Sequence, residues 1–191
     1  MPFHLVRSMT SRATVSHRNA FQASPEAEGR LLLLIDAFSR TRNGHRALEG
    51  RIKLAKLDFL IRYPKYLASL LRLRAGVDGS QGDSEDDNAI EQRMIRYRYG
   101  PWDPAYYAVL GSLIGRGLIE VVPISRGFGY RTTDKGAGLA ESLANDDSWA
   151  EMLRRISLVR RHLDKSGTTL KSWIYEAFPE IGDATWQEPL P

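Results

Sequence analysis

Residues 99–136, YGPWDPAYYAVLGSLIGRGLIEVVPISRGFGYRTTDKG, constrain the fold more than any other part of the chain. Asp103 is expected to cap a helix whose first turn suits Pro104, and Val109, Leu110, Leu113 and Ile114 supply its apolar stripe. Gly117 fits the left-handed position that closes such a helix. Two β-rich runs, LIEVVPI and FGYRT, flank Ser125, Arg126 and Gly127 and predict a hairpin, after which Thr133 and Asp134 start another helix. Two glycines in DKGAGLAESLA lower that helix's propensity by about 1 kcal/mol each, so packing has to hold it.

The order helix, two-stranded ribbon, helix is that of a winged helix. The expected fold is therefore mainly α with a small β-hairpin: a winged-helix (winged helix-turn-helix) domain with flanking helices. Upstream, Ser24 is a candidate N-cap and Pro25 a first-turn residue for EAEGRLLLLIDAFSR. RIKLAKLDFLIRYP places Leu54, Leu57, Leu60 and Ile61 on one helical face and stops at Pro64. KYLASLLRLRAG continues with Leu67, Leu70, Leu71 and Arg74 until Gly76. In MIRYRYGPW, residues Ile95, Tyr97 and Tyr99 alternate with Arg96 and Arg98, a period-two pattern for a short strand. Downstream, Ser148 is expected to cap a helix carrying Met152, Ile156, Val159 and Leu163, and Thr168 or Thr169 to cap a last one anchored by Trp173, Ile174 and Phe178.

These signals divide the chain into a flexible basic arm (1–24), N-terminal helices (25–76), a flexible acidic loop (77–89), a winged-helix core (90–145) and C-terminal helices with an acidic tail (146–191). At 191 residues the chain is long enough to bury a real core, and with no cysteine it has neither disulfides nor thiolate chemistry. A reducing, cytoplasmic setting is expected. No apolar run nears the roughly 20 residues of a membrane span. The net charge of +4 is segregated: Arg40, Arg42, Arg46, Arg51, Lys53 and Lys56 surround only Glu49, whereas Asp83, Glu85, Asp86 and Asp87 form an acidic block.

The sequence offers little for catalysis. His4, His17, His45 and His162 lack chelating spacing, and RGFGYRTTDKG lacks the order of a phosphate loop. Ser166, Thr168 and Thr169 fall where a helix needs a cap. Asp58 and Asp103 lie in apolar or aromatic settings, but an acid without a positioned partner is no mechanism. The expectation is no enzyme, no cofactor, no metal and no small-molecule substrate.

Major-groove readers carry Arg, Lys, Asn or Gln on the helix before the hairpin, and in DPAYYAVLGSLIGR only Arg116 qualifies. Its exposed side is expected to be Tyr106, Tyr107, Ala108, Gly111 and Ser112, which suits a protein surface better than base edges. Tyr106, Tyr107, Arg96 and Tyr97 are the candidate partner-interface residues. Arg93, Arg98, Arg126 and Arg131 are candidates for non-specific, salt-sensitive DNA-phosphate contact. A structural role is expected for Gly100 and Pro101 in a turn, for Trp102 as a core anchor and for Asp103 as a cap.

KLAKLDFLIRYP, IEQRMIRYRYGPWDPAYYAVLGSLIGRGLIEV and FGYRTTDKGAGLAESLA together resemble the middle component of bacterial three-component systems built around an ABC ATPase, including the small subunit of Lamassu-type anti-phage defence. The resemblance spans about residues 31–181, and RMIRYRYGPWD is its most specific block. It implies a non-catalytic subunit that docks on an SMC-like or Rad50-like ABC ATPase and restrains or relays a nuclease-like effector. It also singles out Arg96, Tyr97, Tyr99, Gly100, Pro101, Trp102 and Asp103 as motif positions. Two other readings remain: a winged-helix transcriptional regulator, and an antitoxin-like module, since YGPW also resembles an element of the Panacea domain.

Overall fold

The computed structural model describes residues 23–41, 44–79, 94–97 and 100–183, with only the backbone of 41, 44, 45, 96 and 97. The chain is mainly helical with a small three-stranded antiparallel sheet. Helix α1 (Pro25–Ser39) begins where the sequence places it: the Ser24 hydroxyl accepts the Ala27 N–H at 3.1 Å, and Glu26 and Glu28 sit in the positive first turn. Its LLLLI run is buried, and that run lies at the centre of a core shared by every helix from α1 onward.

The connector after α1 holds two short strands, β1 (Arg40–Thr41) and β2 (Gly44–His45), paired with each other, then β3 (Leu48–Glu49). Helix α2 (Gly50–Arg62) follows and α3 (Pro64–Ala75) is set off from it by Pro64, which cannot donate into a continuing helix. Gly76 ends α3 in the left-handed conformation, as expected. Along α3, Leu67, Leu70 and Leu71 are buried, but Arg74 leaves the stripe to lie over the Trp173 ring at 5.2 Å and pair with Glu176. Burial on α2 is not confined to the stripe Leu54, Leu57, Leu60 and Ile61: Lys53, Lys56, Asp58, Phe59 and Arg62 are buried as well. This helix is central, covered by α1, α3, α6, α7 and the strands.

A two-stranded ribbon comes next, β4 (Ile95–Tyr97) against β5 (Gly100–Trp102), so a short strand lies where one was expected. Gly100 and Pro101 do not form its turn: they are strand residues opposite Tyr97 and Arg96, with Gly100 at φ 112°. Helix α4 (Tyr106–Gly115) starts later than Asp103. Asp103 is not its N-cap; its Oδ1 accepts the Ala105 N–H at 2.8 Å in the turn ahead of the helix. Gly117, at φ 66°, closes α4 as the sequence predicts.

The hairpin β6 (Ile119–Ile124) and β7 (Gly127–Thr132) is in register from Ile119 opposite Thr132 to Ile124 opposite Gly127. Strand β3 joins its other side, Leu48 opposite Tyr130, giving the order β3-β7-β6. Thr133 caps α5 (Asp134–Ala144) through the Gly136 N–H at 3.1 Å. A Cβ on Gly136 would stand 1.8 Å from the Leu118 carbonyl oxygen, so a glycine there lets α5 lie on the end of α4 despite its poor propensity. Asp36 and Ser39 of α1 clamp Thr132 of β7: Thr132 Oγ1 donates to Asp36 Oδ1 at 3.0 Å, and its N–H reaches Ser39 Oγ at 3.3 Å.

A 3-10 turn at Asp147–Trp149 leads into α6 (Ala150–His162), followed by α7 (Gly167–Ala177) and the short α8 (Pro179–Asp183). Two expected caps shift. Asp146 accepts the Ser148 N–H, so Ser148 sits inside the turn rather than capping, and Ser166 caps α7 by accepting the Thr169 N–H at 3.1 Å. In each case the competing side chain two to three residues earlier reaches the open N–H first. Ile156, Val159, Leu163, Ile174 and Phe178 are buried as expected.

Candidate functional site

Two neighbouring tyrosines on α4 have opposite fates. Tyr106 is 1% exposed and Tyr107 61% exposed. Tyr106, expected at a partner surface, is therefore a core residue: with Val109, Leu110 and Leu113 it completes an i, i+3, i+4, i+7 stripe, and Ile114, read as buried, turns outward. Trp102 packs partly buried against the core, edge-on to the Tyr106 ring at 5.1 Å.

The Tyr106 hydroxyl donates to Asp58 Oδ2 at 2.7 Å, and this opens onto a buried network that sequence reasoning missed. Arg30 of α1 is 2% exposed and donates from Nε to Asp58 Oδ1 at 2.7 Å. Arg62 lies 3.5 Å from Asp58 and donates to Asp103 Oδ2 at 2.6 Å. Two guanidiniums and two carboxylates thus cancel where α1, α2 and the β5–α4 turn meet. Burial alone would raise the Asp58 carboxyl, but the charges of Arg30 and Arg62 and the bonds from Arg30 and Tyr106 hold it below its ordinary range. Burial first, then the Asp58 charge, push the Tyr106 hydroxyl well up. The arrangement is closed off from solvent, which suits a structural tie.

A second charged knot joins α6 to the start of α2. Asp164 accepts from Lys53 at 2.8 Å, from Arg46 at 2.8 Å and from Arg160 at 3.0 Å. Lys53 and Arg160 also lie over the Phe38 ring. Although burial works the other way, the hydrogen bonds and charges of Lys53 and Arg46 hold the Asp164 carboxyl low. Arg46 also edges an open groove of about 400 Å³ with Ala47, Val122, Pro123, Ile124 and Arg131. Lys56, buried beside Gly100 and near Lys171, has its ammonium pushed down to about 8, chiefly by burial.

The remaining feature is an exposed surface. Cross-strand partners share a face, so Ile119, Thr132, Val121, Tyr130, Pro123 and Phe128 line one side of the sheet with Leu48. Ile119, Leu48 and Tyr130 are buried at its inner end, while Val121 (49% exposed) and Phe128 (39% exposed) run out beyond α4. Arg51 of α2 bridges this tip to α4, its guanidinium 5.1 Å from the Tyr107 ring centre and 5.7 Å from that of Phe128. Ile52 beside it is also exposed.

Among the proposed phosphate contacts, Arg126 is exposed at the hairpin tip, and Arg131 is paired with Glu120 on the neighbouring strand at 2.8 Å. Arg116, the one groove-reading type on α4, is paired with Glu28. Arg93 and Arg98 lie outside the described residues, as do Tyr99 and the side chains of Arg96 and Tyr97. Among the described residues no helix is long and apolar enough to cross a membrane.

Compared with protein-family models, curated proteins and solved structures, the chain has no match, so its function is argued from its own geometry.

Proposed function

We propose that the chain is a non-catalytic winged-helix accessory subunit that docks on an SMC-like ABC ATPase and bridges or restrains a nuclease-like effector, in the cytoplasm, as part of a defence against foreign DNA. The winged-helix assignment is supported by chain order: α1, β3, α2, α4, β6 and β7 follow the order of that fold, and the sheet order β3-β7-β6 sets the first strand beside the last. On this reading α3 and the β4–β5 ribbon are an insertion between the second and third helices.

One observation carries the accessory role. The face that a DNA-reading winged helix offers to the groove here presents Tyr107, Ile114, Val121 and Phe128 beside a stacked Arg51, with its groove-reading Arg116 engaged by Glu28. Aromatic and arginine side chains at an exposed apolar site are the composition of a protein interface. The choice of partner rests on the resemblance of RMIRYRYGPWD and its flanks.

The test is affinity purification of the tagged chain co-expressed with its flanking genes, with complex masses read at low and high salt. Co-elution with a large ATPase at high salt is expected. Elution of the chain alone, together with tight binding to one DNA sequence, would replace this reading with that of a transcriptional regulator.

A further inference from the structure

Resting on the accessory-subunit reading, a more specific conclusion concerns what the exposed face takes. From the Arg51–Tyr107–Phe128 surface we infer that the partner contributes an acidic, apolar segment, in which carboxylates pair with Arg51 and Arg126 while aliphatic or aromatic side chains cover Val121 and Phe128.

Charge accounting carries the argument. Among the described residues, Arg30, Arg40, Arg46, Arg62, Arg72, Arg74, Arg116, Arg131, Arg154, Arg155 and Arg160 each have a carboxylate within ion-pair distance. Arg51, Arg126 and Arg161 do not; Arg161 stands on α6, whereas Arg51 lies at the face where core-side sheet residues emerge uncovered and Arg126 is exposed at the tip of the same hairpin. Arg51 is held in place by two rings instead of an acid, which fixes its direction while leaving its N–H groups available. A guanidinium fixed over aromatic rings at the centre of an apolar patch fits a carboxylate flanked by apolar groups.

A nucleic-acid strand fits less well. Arg51 covers the two rings on which bases would stack, and Arg116 at the end of α4 brings Glu28 with it. A phosphate there would meet that carboxylate.

The experiment uses the full chain and a labelled synthetic amphipathic peptide of Glu and Leu, read by fluorescence anisotropy. Parallel probes are its Lys-for-Glu counterpart, its Gly-for-Leu counterpart and an oligo-dT of equal charge. The expected result is saturable binding of the Glu–Leu peptide alone, weakened about tenfold by Arg51→Glu and by Phe128→Ser, and unchanged by Arg161→Glu on α6, with each variant's circular dichroism that of the wild type. Oligo-dT bound as tightly through Arg51 would overturn the assignment in favour of nucleic acid. Equal binding of the Gly-for-Leu peptide, or an affinity indifferent to Arg51→Glu and Phe128→Ser, would overturn it outright. Co-purification separates this from the broader reading: an ATPase complex that survives both substitutions keeps the accessory role and removes the surface from it, whereas no complex with the wild-type chain defeats the accessory role itself.

Discussion

The two ends of helix α2 treat charge in opposite ways. Its C-terminal half sinks Lys56, Asp58 and Arg62 into the core, where Asp58 and Arg62 meet Arg30, Asp103 and Tyr106 with every charge matched. Its first turn instead leaves Arg51 and Ile52 at the surface, Arg51 facing two aromatic rings and no acid. Buried pairs of this kind fix geometry, because removing one partner strands the other in a low dielectric. A half-buried cation without an acid beside it contributes less to folding than such a pair and keeps N–H groups open to a ligand. One helix thus ties the fold together at one end and, on the proposed reading, offers a docking face at the other.

The comparison breaks most visibly at Asp58. Asp58→Asn removes the carboxylate that Arg30 and Arg62 face in the core, and a loss of about 3–5 kcal/mol is expected in urea unfolding at neutral pH. The pH dependence has a definite sign. The folded-state carboxyl is held below its ordinary value, so the contribution is complete above the unfolded pKa near 4 and disappears as pH falls through the folded one. The variant's acid limb should be correspondingly flatter.

Lys56 gives the next largest effect, and of opposite character. Its folded pKa of about 8 lies below the unfolded 10.5, so between these values the unfolded chain holds more protons and stability rises with pH. From pH 8 to 10 the wild type should gain about 2 kcal/mol from this group, and Lys56→Met should abolish the rise while leaving the chain more stable at pH 7. An unchanged profile would mean that Lys56 stays charged in the folded protein.

Much of the framework was legible because its signals are local. Ser24, Pro64, Gly76, Gly117 and Thr133 act within a turn of where they stand, and each bounds the element expected of it. The charged network was not legible, because its bonds join residues far apart in sequence: Arg30 and Asp58 are 28 positions apart and Tyr106 and Asp58 are 48. The sequence places Asp58 and Asp103 in apolar or aromatic settings but names no partner for them, because burial of a matched set requires knowing what packs around it. Tyr106 shows a finer limit. A stripe begun at Val109 includes Ile114 and excludes Tyr106, and shifting it by one helical turn reverses both; no local signal chooses between them. Strand β3 escaped for a related reason, since two residues carry no period and its partner β7 lies some eighty positions on.

Between the buried knot and the open face stand ordinary surface contacts, and Ser166→Ala calibrates them. Loss of the Ser166 hydroxyl leaves the Thr169 N–H without its cap, and a drop of about 1 kcal/mol is expected in thermal or urea unfolding. A drop of several kcal/mol would show that α7 is held at its N-terminus more than by Leu170 and Ile174 in the core.

The smallest effect is the most informative about function. Arg51→Ala removes a guanidinium lying over the exposed Tyr107 and Phe128 rings, so its expected cost is about 0.5 kcal/mol. Differential scanning calorimetry of this variant beside Asp58→Asn sets the two ends of α2 on one scale. If Arg51→Ala instead lost about 2 kcal/mol or more, Arg51 would be fastening the hairpin to α4, and its lack of an acid would be a feature of folding. A near-neutral result leaves the cation over Tyr107 and Phe128 unexplained by stability, and selection for a partner is then the remaining physical reason for an arginine to stand there without a carboxylate.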